Sequence, residues 1–186
     1  MNYLIDDENF LPKVMPDSCP GINSTFGYLG QAASTFAWHV EDACLGSMNV
    51  SLGGAAKVWY TMSPEHQNRF RSRVLREAFP DEFRACAGHD QHKQCVVSPE
   101  CAEDLMGLPR AVHTHEQMPG DIVVTLPGAF HSGFSTGMNF GEAINWGTAS
   151  WIRAFSAPPN SPCQCRENLA FDPSLWNRFR CQLMST

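Results

Sequence analysis

Charge is scarce in this chain: Asp, Glu, Lys and Arg make up 17% of its 186 residues. Basic residues are the scarcer kind, 13 against 19 acidic, for a net charge of -6. A general nucleic-acid binder needs a basic face to displace counterions, so no direct sequence-specific contact with nucleic acid is expected. The balance suits a basic peptide partner, though only weakly, because net charge says little about one groove. No apolar run reaches the length that crosses a bilayer, so no membrane contact is expected. Residues 1–8 are acidic and hold no basic region ahead of an apolar one, so the chain reads as soluble and intracellular. Internal repeats and low-complexity tracts are also missing.

What is present is enough apolar material for a core. Hydrophobic residues make up 43% of the chain, and a chain of this size buries a sizeable interior as one domain without disulfides. Disulfide scaffolds are usually shorter and loop-rich, so the eight cysteines read as metal ligands and thiols. Cys163-Gln164-Cys165 supports metal, because two thiolates one residue apart can share a zinc ion but are poorly placed to bond to each other.

Residues 1–20 form an irregular lead-in, broken by Pro12, Pro16 and Pro20. Short β-forming runs follow at 26–29, 35–39, 47–52, 57–62, 94–97, 112–117, 121–126, 131–134 and 140–146. Turns such as Leu52-Gly53-Gly54 and Met118-Pro119-Gly120 separate them. This pattern predicts an all-β core, a sandwich or jelly roll, with peripheral helices. One helix is expected after Ser63-Pro64, with Phe70, Val74 and Ala78 on one face until Pro80. A second is expected from Ser98-Pro99 to Gly107, and a third from Asp172-Pro173 with Leu175, Phe179 and Leu183 as its apolar stripe.

Chemistry concentrates in Thr35-Phe36-Ala37-Trp38-His39-Val40-Glu41-Asp42. Strand residues i and i+2 share a face, so His39 and Glu41 can aim an imidazole and a carboxylate at one point. Such a pair arises by chance about once in a chain like this, so its surroundings must carry the weight. A distant second histidine, in Phe130-His131-Ser132-Gly133-Phe134, would complete a two-histidine-one-carboxylate set. That set leaves cis positions open and suits non-haem Fe(II) taking up a chelating cosubstrate and O2. His113 and His115 also share a strand face, but no third ligand accompanies them, and their spacing reads as coincidence.

The ordered set of the His39 strand, Ser47-Met48-Asn49, Lys57-Val58-Trp59-Tyr60 and the His131 segment resembles the JmjC family of Fe(II)- and 2-oxoglutarate-dependent oxygenases, best known as histone lysine demethylases. The resemblance covers residues 21–165. It implies a double-stranded β-helix (jelly roll, cupin-like) there, with residues 166–186 as a C-terminal helix packing on the barrel. It implies His39, Glu41 and His131 as iron ligands and Lys57 as the cation for the remote carboxylate of 2-oxoglutarate. Asn49 would hydrogen-bond the same cosubstrate, with Phe36 and Trp59 as walls of its pocket. Tyr28, Gly21 and Asn145 fall where the family shapes its methyl-lysine pocket with a phenol, a backbone carbonyl and an amide oxygen. Lys93 matches a lysine near that pocket.

Cys86, His92, Cys163 and Cys165 resemble the Cys-His…Cys-x-Cys structural zinc site of the zinc-containing, JmjN-linked branch, with His89 as the other candidate imidazole. Cys19, Cys44, Cys95, Cys101 and Cys181 are left as plain thiols.

The activity so implied is that of a nuclear dioxygenase and chromatin regulator. With O2 it would hydroxylate the N-methyl group of a lysine on a histone H3 tail, and the methyl would leave as formaldehyde. A JmjC protein hydroxylase and a catalytically inactive chromatin-binding module stay open beside it. The chain departs from the family in places: Phe130 stands where a tyrosine commonly precedes the ligand histidine, and Ala143 where trimethyl-lysine demethylases of the zinc branch often have serine. No match to the JmjN segment, or to the upstream strand whose tyrosine helps bind 2-oxoglutarate in relatives, precedes Gly21. A neighbour supplying that contact, a fragment and a reduced enzyme are the three readings of this.

Overall fold

The computed structural model describes residues 20–148 together with Leu11, Trp151, Cys163 and Cys165. Among these, eight strands form two four-stranded antiparallel sheets. One sheet has the order β1 (Phe26–Gly30), β8 (Asn139–Trp146), β3 (Gly46–Gly54) and β6 (Ile122–Thr125). The other has the order β2 (Thr35–His39), β7 (His131–Ser135), β4 (Lys57–Met62) and β5 (Val112–Gln117). Chain neighbours β1 and β2, and again β7 and β8, sit in opposite sheets. This crossing makes the core an all-β jelly roll with peripheral helices, one of the two classes expected from the spacing of turns and the one that the resemblance implies.

One expected strand, 94–97, does not form. It runs beside β2 but shares a single backbone bond with it, Trp38 N–H to the Cys95 carbonyl at 2.8 Å. A bulge in β2 and the left-handed Lys93 (φ 55°) leave no room for a ladder. The first expected helix is also not regular. It opens as a 3-10 turn (Pro64–His66), becomes α-helical (Gln67–Phe70), widens to a π turn (Arg71–Leu75) and closes as Arg76–Ala78. Ser63 makes no side-chain cap there, and Pro80 starts a further helix, Pro80–Ala85, rather than ending the segment. Helix Pro99–Met106 behaves as its sequence suggests: the Ser98 hydroxyl accepts from Cys101 N–H at 3.2 Å, and Gly107 closes it at φ 61°. The lead-in, apart from Leu11 and Pro20, and the expected C-terminal helix lie outside the described residues.

The helices pack on the outer face of β2-β7-β4-β5. Trp38, Met62, Phe70, Val74, Leu75 and Phe130 form that core, none more than 3% exposed. Fully burying such side chains contributes about 1.5–3 kcal/mol each. Strand alternation then turns their neighbours inward, and much of the buried interior is polar: Ser47, Asn49, Ser51, Gln117, Ser135 and Asn145. The apolar core that holds the barrel together therefore lies outside it, leaving the inside for chemistry.

Candidate metal centres

The bulge in β2 builds the first site. Between the pairs Phe36↔Gly133 and His39↔His131, β2 advances three residues while β7 advances two. The extra residue lets Phe36 and His39 face the barrel together while Trp38 points to the helices. His39 and His131 come to lie opposite each other, with ring centroids 4.3 Å apart. Glu41 does not share a strand face with His39 as the spacing suggests. β2 ends at His39, and Glu41 stands just beyond it, ahead of the turn Asp42–Cys44, where Ala43 and Cys44 have positive φ. The tight turn still brings its carboxylate to the same point, with Oε1 3.3 Å from His131 Nε2.

The donor atoms of His39, Glu41 and His131 all lie within 4.8 Å of one another. Divalent first-row metals with bonds of about 2.1 Å hold cis donors about 3.0 Å apart, so these residues fit such an ion with little movement. Their tautomers fit as well. The Nδ1 of His39 lies 2.8 Å from the Ala37 carbonyl, and that of His131 lies 3.1 Å from the Ala129 carbonyl. A carbonyl only accepts, so each Nδ1 carries a proton, and Nε2 is the nitrogen that each ring would turn to a metal. Burial first, then the neighbouring His131, pushes His39 down to about 3, which keeps it neutral. Burial acts upward on Glu41, but the hydrogen bond and charge of His131 outweigh it and hold the carboxyl well below the usual range.

The pocket wall lies further along the same sheet. Thr61 pairs with His131 and Lys57 with Ser135, so Lys57 sits four residues along β4, about 13 Å of strand. A lysine side chain and a short dicarboxylate together bridge such a gap. The Lys57 ammonium lies 5.8 Å from the Trp59 ring centroid and makes no ion pair among the described residues. Trp59 packs edge-on against Phe36, with centroids 4.8 Å apart. Gly133 of the His-Ser-Gly-Phe sequence leaves room for that ring, since a Cβ there would lie 2.6 Å from Phe36 Cζ.

The sequence reading missed Gln117. Fully buried, it accepts from Trp59 Nε1 at 2.9 Å and donates to both the Asn49 carbonyl (2.9 Å) and Asn49 Oδ1 (3.2 Å). This one amide ties two pocket residues together across the sheets and leaves the Asn49 amide N–H groups for a ligand. Nothing local marked it: β5 is a polar run with four consecutive exposed residues before Gln117.

At the rim, Tyr28 is 47% exposed, and burial together with the Glu41 charge raises its pKa. Asn145 is buried and donates from Nδ2 to the Gly46 carbonyl at 3.1 Å, which leaves its amide oxygen as an acceptor. Gly21 lends its carbonyl to Asn145 N–H at 2.7 Å. Lys93 pairs with Asp42 at 3.7 Å, next to Glu41.

A second cluster holds Cys86, His92, Cys163 and Cys165, again with donors within 4.8 Å of one another. Cys165 and Cys86 sulfurs are 3.9 Å apart, and Cys163 Sγ lies 3.4 Å from His92 Nε2. The edges of a zinc tetrahedron with bonds of about 2.3 Å to sulfur and 2.05 Å to nitrogen are about 3.8 and 3.5 Å, a close fit. Hydrogen bonds from the Cys165 thiol to the sulfurs of Cys86 and Cys163, ahead of desolvation, push it up to about 11; a cation shared by the thiolates would take the place of those bonds. His89 stacks on His92, with centroids 4.6 Å apart, outside the cluster. Cys44 and Cys95 are buried free thiols and Cys101 an exposed one. Among the described residues no metal-binding group includes His113 or His115.

The profile of the JmjC domain, hydroxylase, matches residues 26–146, from the first strand to the last. The chain belongs to the JmjC family. This JmjC chain is similar to the probable lysine-specific demethylase 4F of Homo sapiens, at 39% identity over 147 residues, which are 79% of the chain and 22% of the relative. It is 36% identical to lysine-specific demethylase 4D of Rattus norvegicus, covering 79% of the chain and 28% of the relative. With lysine-specific demethylase REF6 of Arabidopsis thaliana it shares 40% over 150 residues, 78% of the chain and 11% of the relative. The JmjC chain thus spans between 11% and 28% of the length of these relatives.

Proposed function

We propose that this JmjC domain is the catalytic core of an Fe(II)- and 2-oxoglutarate-dependent demethylase acting in the nucleus on methylated lysine of histone H3 tails. The observation that carries the reading is the convergence of His39, Glu41 and His131 in a polar barrel whose wall presents the Lys57 ammonium without an ion partner among the described residues. The names of the relatives supply the substrate class, lysine demethylation.

His39, Glu41 and His131 would hold the iron, each imidazole oriented by its Nδ1–H bond to a backbone carbonyl. Bound there with 2-oxoglutarate, iron supplies the activated oxygen that hydroxylates an N-methyl group. Lys57 binds the remote carboxylate of the cosubstrate, and the Asn49 amide donates to it, steadied by Gln117. Phe36 and Trp59 exclude water from that end. At the rim, the Tyr28 oxygen, the Gly21 carbonyl and the Asn145 amide oxygen accept weak C–H contacts from the methylammonium and turn one methyl inward. Lys93, held by Asp42, lines the same mouth. Cys86, His92, Cys163 and Cys165 would hold a structural zinc, a closed set with no position for substrate.

Mass spectrometry of methylated H3-tail peptides with Fe(II), ascorbate and 2-oxoglutarate tests the reading. Loss of a methyl with succinate and formaldehyde is the expected result. A peptide that keeps an added oxygen, with no formaldehyde, makes the domain a protein hydroxylase. Iron bound without any succinate makes it a binding module.

A further inference from the structure

Each candidate iron ligand has a chain neighbour tied to one segment, residues 90–97, which leaves the Cys86–His92 loop. Beside His39, Trp38 donates its backbone N–H to the Cys95 carbonyl and its indole N–H to the Val97 carbonyl, both at 2.8 Å. Beside Glu41, Asp42 pairs with Lys93. Beside His131, Phe130 lies under the Arg71 guanidinium, 5.6 Å from ring centroid to Cζ, and Arg71 reaches Asp90 with Nε and Nη2, each at 2.8 Å from Oδ2. Phe130 and Trp38 also clasp Phe70 between them, at centroid distances of 4.8 and 5.0 Å. The backbones carrying both histidines are thus joined through one aromatic stack.

Among these ties the Arg71–Asp90 pair is distinctive. The Asp90 side chain is 6% exposed, against 26% for Asp42 in the looser Lys93 pair. A buried carboxylate left without its cation is strongly unfavourable, so the pair resists separation and transmits position. Arg71 also opens the π turn, a local widening of the helix that often marks functional sites. Neither residue touches the metal ligands' donor atoms, and neither belongs to the chemistry described above.

We propose that Arg71 and Asp90 are positioning residues: their half-buried ion pair couples the Cys86–His92–Cys163–Cys165 knuckle to the strands presenting His39 and His131, so that filling the knuckle orders the iron site. The inference rests on the metal-centre reading given under the proposed function. The two can fail separately.

The test is a four-protein cycle read by Mn(II) binding, followed by electron paramagnetic resonance. Mn(II) prefers imidazole and carboxylate to thiolate and so reports the His39–Glu41–His131 site alone. The proteins are the parent, Arg71→Met, Cys163→Ser with Cys165→Ser, and all three substitutions combined, with zinc content and circular dichroism measured on each. The parent should bind one Mn(II) that is lost in His131→Ala. Arg71→Met should keep its zinc yet bind Mn(II) about tenfold more weakly, and the zinc-free variant should lose a similar factor. The combined variant should lose no more than the zinc-free one, because the Arg71–Asp90 tie is already slack once the knuckle is empty. Where Arg71→Met does not fold, Asp90→Asn takes its place, with the same expectation.

Unchanged Mn(II) affinity in folded Arg71→Met or in the zinc-free variant overturns the coupling, as do losses that multiply to about a hundredfold in the combined protein. A parent without His131-dependent Mn(II) binding overturns the metal-centre reading itself, and this inference with it.

Discussion

His39 and His131 oppose each other across β2 and β7 because β2 carries one residue more than its partner between this pair and the next. The bulge sends Trp38 into the helix-side core and His39 into the barrel, so packing and chemistry are set by the same local irregularity.

Replacing His131 should therefore abolish turnover without unfolding the barrel, since the apolar core sits on the other face of the sheet. His131→Ala is expected to form no detectable succinate while retaining its circular dichroism spectrum and zinc. Residual succinate formation would mean that the three-residue site is not where the reaction occurs.

Lys57→Ala should weaken 2-oxoglutarate binding by roughly 1–3 kcal/mol, the range of a charge-assisted hydrogen bond. Burial lowers the Lys57 pKa, and the ammonium makes no competing ion pair among the described residues, so a carboxylate is the partner that it lacks. The measurement is the KM for 2-oxoglutarate alongside metal affinity. The first should rise and the second stay level.

Gln117→Leu removes the amide that joins Trp59 to Asn49. It strands a buried indole N–H and frees the Asn49 side chain, at a cost of about 1–3 kcal/mol in stability. Urea denaturation should show that loss, and the KM for 2-oxoglutarate should rise as Asn49 loses its orientation. A rise in KM without loss of stability would mean that Gln117 meets the cosubstrate directly.

Acid should destabilise the metal-free protein through His39. Its imidazole is held at about 3 in the folded state, against about 6.5 when unfolded. Below the unfolded value the unfolded chain binds the proton and the native state does not, so stability falls as pH drops. The slope from this group is at most about 1.4 kcal/mol per pH unit between pH ~6 and ~4. The lowered Glu41 carboxyl adds loss of the same sign as pH falls below its ordinary value. Thermal melts across that range should fall steadily in the parent and be flatter in His39→Gln, which stays neutral.

Much of this was legible along the chain. The strand runs, the Ser98 cap and the Gly107 stop are local patterns; eight of the nine expected strands and the helix after Ser98 formed where alternation or capping chemistry placed them. The segment 94–97 has the same β-forming character and lies along the open edge of β2, yet formed no strand, because the bulged β2 and the left-handed Lys93 allow it one backbone bond rather than a ladder. Ser63-Pro64 carries the same cap signature as Ser98-Pro99, yet only Ser98 uses its hydroxyl.

The sequence by itself determined which residue types could ligate metal and in what order they occur: His39, Glu41 and His131 for one site, and Cys86, His92, Cys163 and Cys165 for the other. Tertiary structure decided how they meet. It chose His92 over His89, put Glu41 in a turn rather than on the strand, and set Gln117 and the Arg71–Asp90 pair between elements that no local pattern connects. The physical reason is range. Propensity, caps and alternation act over a few residues, whereas register, bulges and buried polar pairs exist only once distant segments are packed together.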